Sequence, residues 1–371
     1  KLDYKIKKLC QIEDIWQSFY LSSLAKVLII VIKLLAKASS CSTGSFFMSF
    51  VSLSRNKGDI ANMRKALKII GIIILCIVVL IVILLVCLAK MSALKKDYIK
   101  KIETGGDIEA KYLCDGTYEV SYYEETAAQA FEKYEIYYPK ELDTEDKIYP
   151  VIVVCNGTGW KASKSKPIYE HYASWGFIVI ATEETHSWNA FGAEMCIVHL
   201  QRLNDNQMIN DKDNVFYHKI DFDNVGIIGH SQGGVGVINA ITNTVHKDTY
   251  KTAVALSPTN KEVAGALEWP YNATLINVPI MLISGEGGGD DWVVTGEGLT
   301  AIYNDISADK VMLRRKNTDH GKTQYSEDGY VMAWFMWQLQ GDEEAAKAFI
   351  GENPEIMNNE LYQDQRSDFH E

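Results

Sequence analysis

The sequence predicts an α/β domain, with a mostly parallel, doubly wound sheet covered by helices on both faces. Three observations predict it. Short apolar runs recur from residue 132 onward, stretches of helical length lie between them, and the run at 224–229 passes directly into a glycine-flanked serine that opens the next helix.

The elements can be justified in order. Residues 132–138, EKYEIYY, alternate as a strand does. PVIVVC at 150–155 is continuously apolar and ends in Asn-Gly-Thr-Gly, and GFIVIATE at 176–183 repeats the design. So do NVGIIG at 224–229, TAVALSP at 252–258, VPIMLISG at 278–285 and DKVMLRR at 309–315. Continuous apolar runs fit strands buried on both faces. Helices are expected near 165–174, 191–204, 233–244, 298–306 and 326–339. The lysine-rich stretch 90–111 reads as a linker, which places the domain at 112–350, and the polar residues 351–371 read as a loosely held tail.

Ahead of the domain the chemistry changes. Residues 1–101 hold 17 Lys and Arg against 5 Asp and Glu, whereas the remaining 270 hold 20 against 43. A basic N-terminal part before an acidic body fits a membrane-proximal tail on a globular domain. The acidic body argues against a nucleic-acid partner, which needs a basic surface. Residues 69–89, IIGIIILCIVVLIVILLVCLA, contain no charge over 21 positions, enough for a helix to cross a hydrocarbon core of about 30 Å. They are expected to form a transmembrane helix or signal anchor. Near the segment the positive charges balance, but 12 precede it and 5 follow up to residue 101, favouring an N-terminus inside and the main domain outside the cell. A cleaved signal peptide is the rival reading, and Leu84-Leu85-Val86-Cys87 resembles a lipoprotein box with Val86 in place of the small residue. Residues 24–36, interrupted by Lys26 and Lys33, read as an interfacial or buried helix. The first 47 residues lack methionine, so the basic tail 1–68 reads as a fragment or a misassigned start, and Met63 would open a compact signal anchor.

The sequence Gly229-His230-Ser231-Gln232-Gly233 stands between a strand and a helix. A turn this sharp leaves no room for side chains at its flanks, which explains both glycines. It lifts the Ser231 hydroxyl above the sheet and aims the first helical N–H groups at whatever binds there. A serine nucleophile needs a histidine base, and the base needs a carboxylate that holds its tautomer and charge. In a strand–turn–helix site the acid and then the base follow on later strands. Of eight histidines, His320 in Asn-Thr-Asp-His-Gly follows the 309–315 strand and takes the place of the base. The loop after 278–285 offers Glu286, Asp290 and Asp291 as acids, with Asp291 the first choice. Negative charge developing on a substrate carbonyl oxygen calls for backbone donors. Gln232 and Thr158 are the expected pair, with Gly157 behind Thr158. Trp160, Trp188 and Trp292 lie on loops at the same edge and are candidates for the pocket wall, with ordinary packing as the competing role.

With these parts in order, the chain resembles the α/β-hydrolases, and among them the dienelactone hydrolase, chlorophyllase and cutinase-type polyester hydrolase group. The resemblance covers roughly residues 132–340 and rests on the Asn-Gly-Thr-Gly loop, the Gly-His-Ser-Gln-Gly turn, Asp291-Trp-Val-Val and Asp-His320-Gly. It implies an α/β-hydrolase fold and ester hydrolysis through an acyl-enzyme on Ser231, with His320 as general base and then acid. By its place in the acid loop, Asp291 matches the family carboxylate. The chain departs from the group in three respects. Serine replaces the cysteine nucleophile of dienelactone hydrolase, no cysteine follows Cys196 to form a C-terminal disulfide, and Thr295 stands where a proline is common.

The expected activity is that of a membrane-anchored serine esterase acting on small or polymeric esters. A peptidase or acyltransferase with the same triad and a non-catalytic tethered binding domain are the alternatives. About 20 residues separate the strand ending near 258 from the one starting near 278, too few for a lid domain, so an open cleft is expected. No cofactor or metal is implied, because the histidines lie in no H-x-x-x-H or H-E-x-x-H spacing and no glycine loop carries a phosphate-binding lysine. The seven cysteines form no C-x-x-C pair. Buried free thiols are the preferred reading over a Cys114–Cys155 disulfide.

Overall fold

The computed structural model describes residues 70, 93–128, 131–210 and 212–370. Apart from residue 70, the predicted span 69–89, the 24–36 helix and the basic tail lie outside the described residues. Among those described, no helix is long and apolar enough to cross a membrane.

Nine strands form one sheet. They are β1 (Val120–Thr126), β2 (Lys133–Pro139), β3 (Tyr149–Cys155), β4 (Ile178–Thr182), β5 (Ile220–His230), β6 (Tyr250–Leu256), β7 (Ile280–Ser284), β8 (Lys310–Arg315) and β9 (Tyr362–Asp368). Their order is β1-β2-β4-β3-β5-β6-β7-β8-β9. The six central strands from β4 to β8 run parallel, while β1, β2 and β9 pair antiparallel at the edges. Seven helices matter for the site: α1 (Asp107–Leu113), α2 (Lys166–Ser174), α3 (Phe191–Asp205), α4 (Gln232–Asn243), α5 (Lys261–Ala266), α6 (Gly296–Asp305) and α7 (Asp328–Gln340).

The two faces of the sheet are covered by different helices, as right-handed crossovers between parallel strands require. Val151, Val153, Ile227 and Leu282 pack with Ile197, Leu200, Ile238 and Leu299 from α3, α4 and α6. Ile152, Ile228, Val254 and Met281 point the other way and pack with Ile168, Tyr172, Trp334 and Phe335 from α2 and α7. Period-two alternation thus divides the apolar residues of each central strand between two cores.

Three elements differ from the sequence expectation. The stretch read as linker, 90–111, holds the first five residues of α1, with Tyr98 and Glu109 buried. β1 lies upstream of the first expected strand. The polar tail supplies β9, which pairs with β8 across a bulge between Met312 and Arg314. An edge strand needs only backbone partners, so Gln-Asp-Gln-Arg-Ser-Asp serves without an apolar pattern once Tyr362 is anchored at 2% exposure.

Candidate active site

The turn after β5 has the geometry its glycines imply. Ser231 adopts φ 61° and ψ −121°, a backbone region that costs a residue with a side chain on the order of 1–3 kcal/mol. A Cβ on Gly229 would lie 2.3 Å from the Gly233 carbonyl oxygen, and one on Gly233 would lie 2.1 Å from that of Cys155. The turn is held by the Ser231 N–H, which donates to the Leu256 carbonyl at 2.8 Å.

Ser231 Oγ and His320 Nε2 are 2.9 Å apart. On the other side of the ring, His320 Nδ1 lies 2.6 Å from Asp290 Oδ1. The carboxylate that meets the ring is therefore the neighbour of the first-choice residue. Asp291 is exposed, whereas Asp290 is 1% exposed. Gly287 and Gly288, with φ of 88° and 58°, wind the loop into a 3-10 turn over Gly288–Asp291, and adjacent side chains on that turn diverge. Gly289 lies so close to the base that a Cβ there would be 2.6 Å from His320 Cβ. This close approach swings Asp290 inward. Its Oδ2 accepts from the Gly285 N–H and from Ser257 Oγ, each at 2.7 Å. Burial pushes the Asp290 carboxyl up, but the bonds from His320, Ser257 and Gly285 and the charge of His320 outweigh it and hold the group below the usual carboxylate value. Glu286 is directed elsewhere, accepting from the Asn317 N–H at 3.1 Å.

The loop after β3 runs beside the nucleophile, since a Cβ on Gly157 would lie 3.8 Å from Ser231 Cβ. Gly159 N–H donates to the Thr185 carbonyl and Trp160 N–H to the Gly157 carbonyl. Those two donors are occupied, which leaves the N–H groups of Gly157, beside Ser231, and of the next residue, Thr158. Gln232 begins α4, so its N–H has no partner within the helix. Its side chain is buried and its Oε1 accepts from Ser187 N–H at 2.9 Å, which ties the loop after β4 to the turn. Asn156 is 4% exposed and its Nδ2 donates to the carbonyls of Thr182 and Glu184, so its Asn-Gly-Thr sequon has no room for a sugar.

The tryptophans separate. Trp160 lines a cavity of ≈ 380 Å³, counting its solvent-open part, together with Gly157, Ile168, Tyr169, His230 and Gln324. Trp160 Nε1 donates to Ser165 Oγ at 2.8 Å. Trp188 and Trp292 are not among the residues lining that cavity. Trp188 is half-buried, and Trp292 is 61% exposed. Between β6 and β7 lie only α5 and a 3-10 turn at Ala273–Leu275. Among the described residues no His, Cys, Asp and Glu cluster could hold a metal ion. Cys155 and Cys196 are buried free thiols, and Cys114 is a free thiol on the surface.

Sequence reasoning missed Ser257 and Thr323. Both are ordinary small polar residues in the sequence, and only the folded loops bring Ser257 Oγ within 2.8 Å of Thr323 Oγ1.

Comparison with known proteins agrees with this arrangement. A cutinase of Thermobifida alba, Cutinase est1, is 27% identical over 191 residues, which cover 50% of this chain and 56% of that relative. The chain thus spans just over half the length of the curated relative. The profile of the PET hydrolase-like family extends over residues 103–367, from just before α1 to the end of β9, and so takes in both edges of the sheet together with Ser231, Asp290 and His320. A match over that span, on a domain with this sheet and this turn, places the chain in the PET hydrolase-like family.

Proposed function

We propose that the protein is a serine hydrolase that cleaves carboxylic esters, polyesters among them, through an acyl-enzyme on Ser231. The observation that carries the reading is the unbroken path from Ser231 Oγ to His320 Nε2 at 2.9 Å and from His320 Nδ1 to Asp290 Oδ1 at 2.6 Å.

The steps follow from that path. Ser231 Oγ attacks the ester carbonyl carbon as its proton passes to His320 Nε2. The imidazolium is stabilised by Asp290, which stays ionised because three groups, His320, Ser257 and the Gly285 N–H, favour its charge. The carbonyl oxygen gains negative charge and receives the N–H groups of Gln232 and Thr158, each such donor contributing about 3–4 kcal/mol to the barrier reduction. Collapse expels the alcohol, which takes the proton from His320. Water then enters, loses a proton to His320 and releases the acid, restoring Ser231.

A bulky or polymeric ester fits the short connection between β6 and β7, which carries no lid domain. The name of the matched cutinase points the same way. The uncharged segment 69–89 supports a tether or leader that delivers the domain to the outside of the cell.

The test compares the full chain with its Ser231→Ala variant on p-nitrophenyl esters of increasing acyl length and on an insoluble polyester. Turnover in the parent and its loss in the variant is the expected result. No turnover in the parent, with no fluorophosphonate labelling of Ser231, would overturn the reading.

A further inference from the structure

We infer that His230, the residue immediately before the nucleophile, is a positioning residue for His320, acting with Thr323 on the backbone carbonyl of His320. The inference rests on the triad reading above and deepens it. His230 Nε2 lies 2.6 Å from the His320 carbonyl oxygen and 3.1 Å from Thr323 Oγ1. A carbonyl oxygen only accepts, so Nε2 carries the proton and Nδ1 does not. Thr323 Oγ1 lies 2.8 Å from the same carbonyl and 2.8 Å from Ser257 Oγ. Ser257 Oγ in turn donates to Asp290 Oδ2 at 2.7 Å.

Acid and base are therefore joined twice. One link runs from His320 Nδ1 to Asp290 Oδ1. The other runs from Asp290 Oδ2 through the Ser257 hydroxyl to Thr323, whose single proton is shared between Ser257 Oγ and the main-chain carbonyl of His320. The first link orients the imidazole, and the second holds the backbone from which it projects. His230 completes the second from the nucleophile's side, so one residue connects the serine turn to the loop carrying the base.

The surroundings of His230 suit that task. Burial first, and the nearby His320 second, push its imidazole down to about 3, so the ring is neutral. The two rings are 4.5 Å apart. A neutral ring there adds no repulsion when His320 becomes an imidazolium. On its other side His230 meets the oxyanion loop, for a Cβ on Gly157 would come within 3.5 Å of His230 Nδ1. The ring is thus wedged between two loops that must keep register with Ser231.

The experiment uses the full chain with His230→Leu, which removes the donor, Thr323→Val, which removes the hydroxyl at nearly constant shape, and His230→Gln, which offers an amide N–H in its place. His230→Leu and Thr323→Val are each expected to lower kcat about ten- to a hundredfold with KM changed less than about threefold, as misplacement of a base does. His230→Gln should recover most of the loss. The double variant should lose less than the product of the single losses, because both residues act on one carbonyl. Proton NMR supplies a readout that needs no turnover: the proton on His320 Nδ1, bound to a carboxylate, resonates far downfield and should move in His230→Leu and Thr323→Val. Unchanged kcat with an unmoved resonance, or a loss confined to KM, would overturn the inference. Failure of the parent to turn over esters would instead overturn the hydrolase reading, and the resonance would still decide whether His230 positions His320.

Discussion

Glu109 of α1 and Arg315 of β8 form an ion pair sealed inside the protein. Arg315 Nη1 lies 3.0 Å from Glu109 Oε1, and the residues are 6% and 0% exposed. Glu109 also accepts from the Tyr362 hydroxyl at 2.6 Å and from Asn359 Nδ2 at 2.8 Å. The pair thus ties α1 to β8, and the Tyr362 bond extends the tie to β9. Removing one member leaves the other charged and buried. Glu109→Ala should therefore lower the unfolding free energy by about 3–5 kcal/mol. Urea denaturation measures this, and a loss within experimental error would show that water reaches Arg315.

Asp290 and Asp291 give a sharper contrast, because they are adjacent and chemically identical. Asp290→Asn removes the charge that stabilises the His320 imidazolium and offers a donor where an acceptor is needed. A fall in kcat of roughly 10³–10⁴ is expected. Asp291→Asn should stay within about twofold, as exposed charges count for little. Steady-state kinetics on one soluble ester decide between them, and the opposite ranking would reinstate Asp291.

Asp328 makes stability depend on pH. Burial raises its carboxyl to about 7, against the opposing pull of the Tyr98 and Tyr172 hydroxyls at 2.6 and 2.8 Å. The folded chain therefore holds a proton that the unfolded chain releases. Its stabilising contribution is complete below the ordinary carboxylate value and is lost as the pH rises through about 7. Glu327 is also buried and shifts in the same direction, so a comparison is needed to isolate Asp328. Asp328→Asn cannot ionise, and its stability relative to the parent should rise between about pH 4 and about pH 8. A difference that stays flat with pH would mean that Asp328 titrates normally.

Two glycines should respond oppositely to alanine. At Gly233 the new Cβ meets the carbonyls of Cys155 and Asn156 at 2.1 and 2.8 Å, and backbone atoms cannot yield as a flexible side chain does. Gly233→Ala should displace the oxyanion loop and abolish turnover. Gly265 in α5 has nothing within 4 Å, so Gly265→Ala should stabilise by up to about 1 kcal/mol through helix propensity. Thermal melts and ester assays on both variants check the pair.

The parallel core was legible in the sequence because its strands are buried on both faces and carry uninterrupted apolar runs. Ser231 and His320 were legible because their positions follow from chain order. Asp290 was not, because choosing between neighbouring carboxylates depends on how Gly287 and Gly288 turn the loop. β9 escaped notice for a different reason: its polar residues pair through the backbone, which leaves no periodic trace. Ser257 and Thr323 meet only after two distant loops fold together, and neither stands in a motif.

His230 has two duties that pull against each other. It forms part of the wall of the cavity shared with Trp160, Ile168 and Tyr169, and it braces the base. A change there that enlarged the cavity would at the same time loosen the bonds that hold His320. Ile168 and Tyr169 on α2 line the same cavity and take no part in the bonds that hold His320, so bulk can be traded there without loosening that histidine.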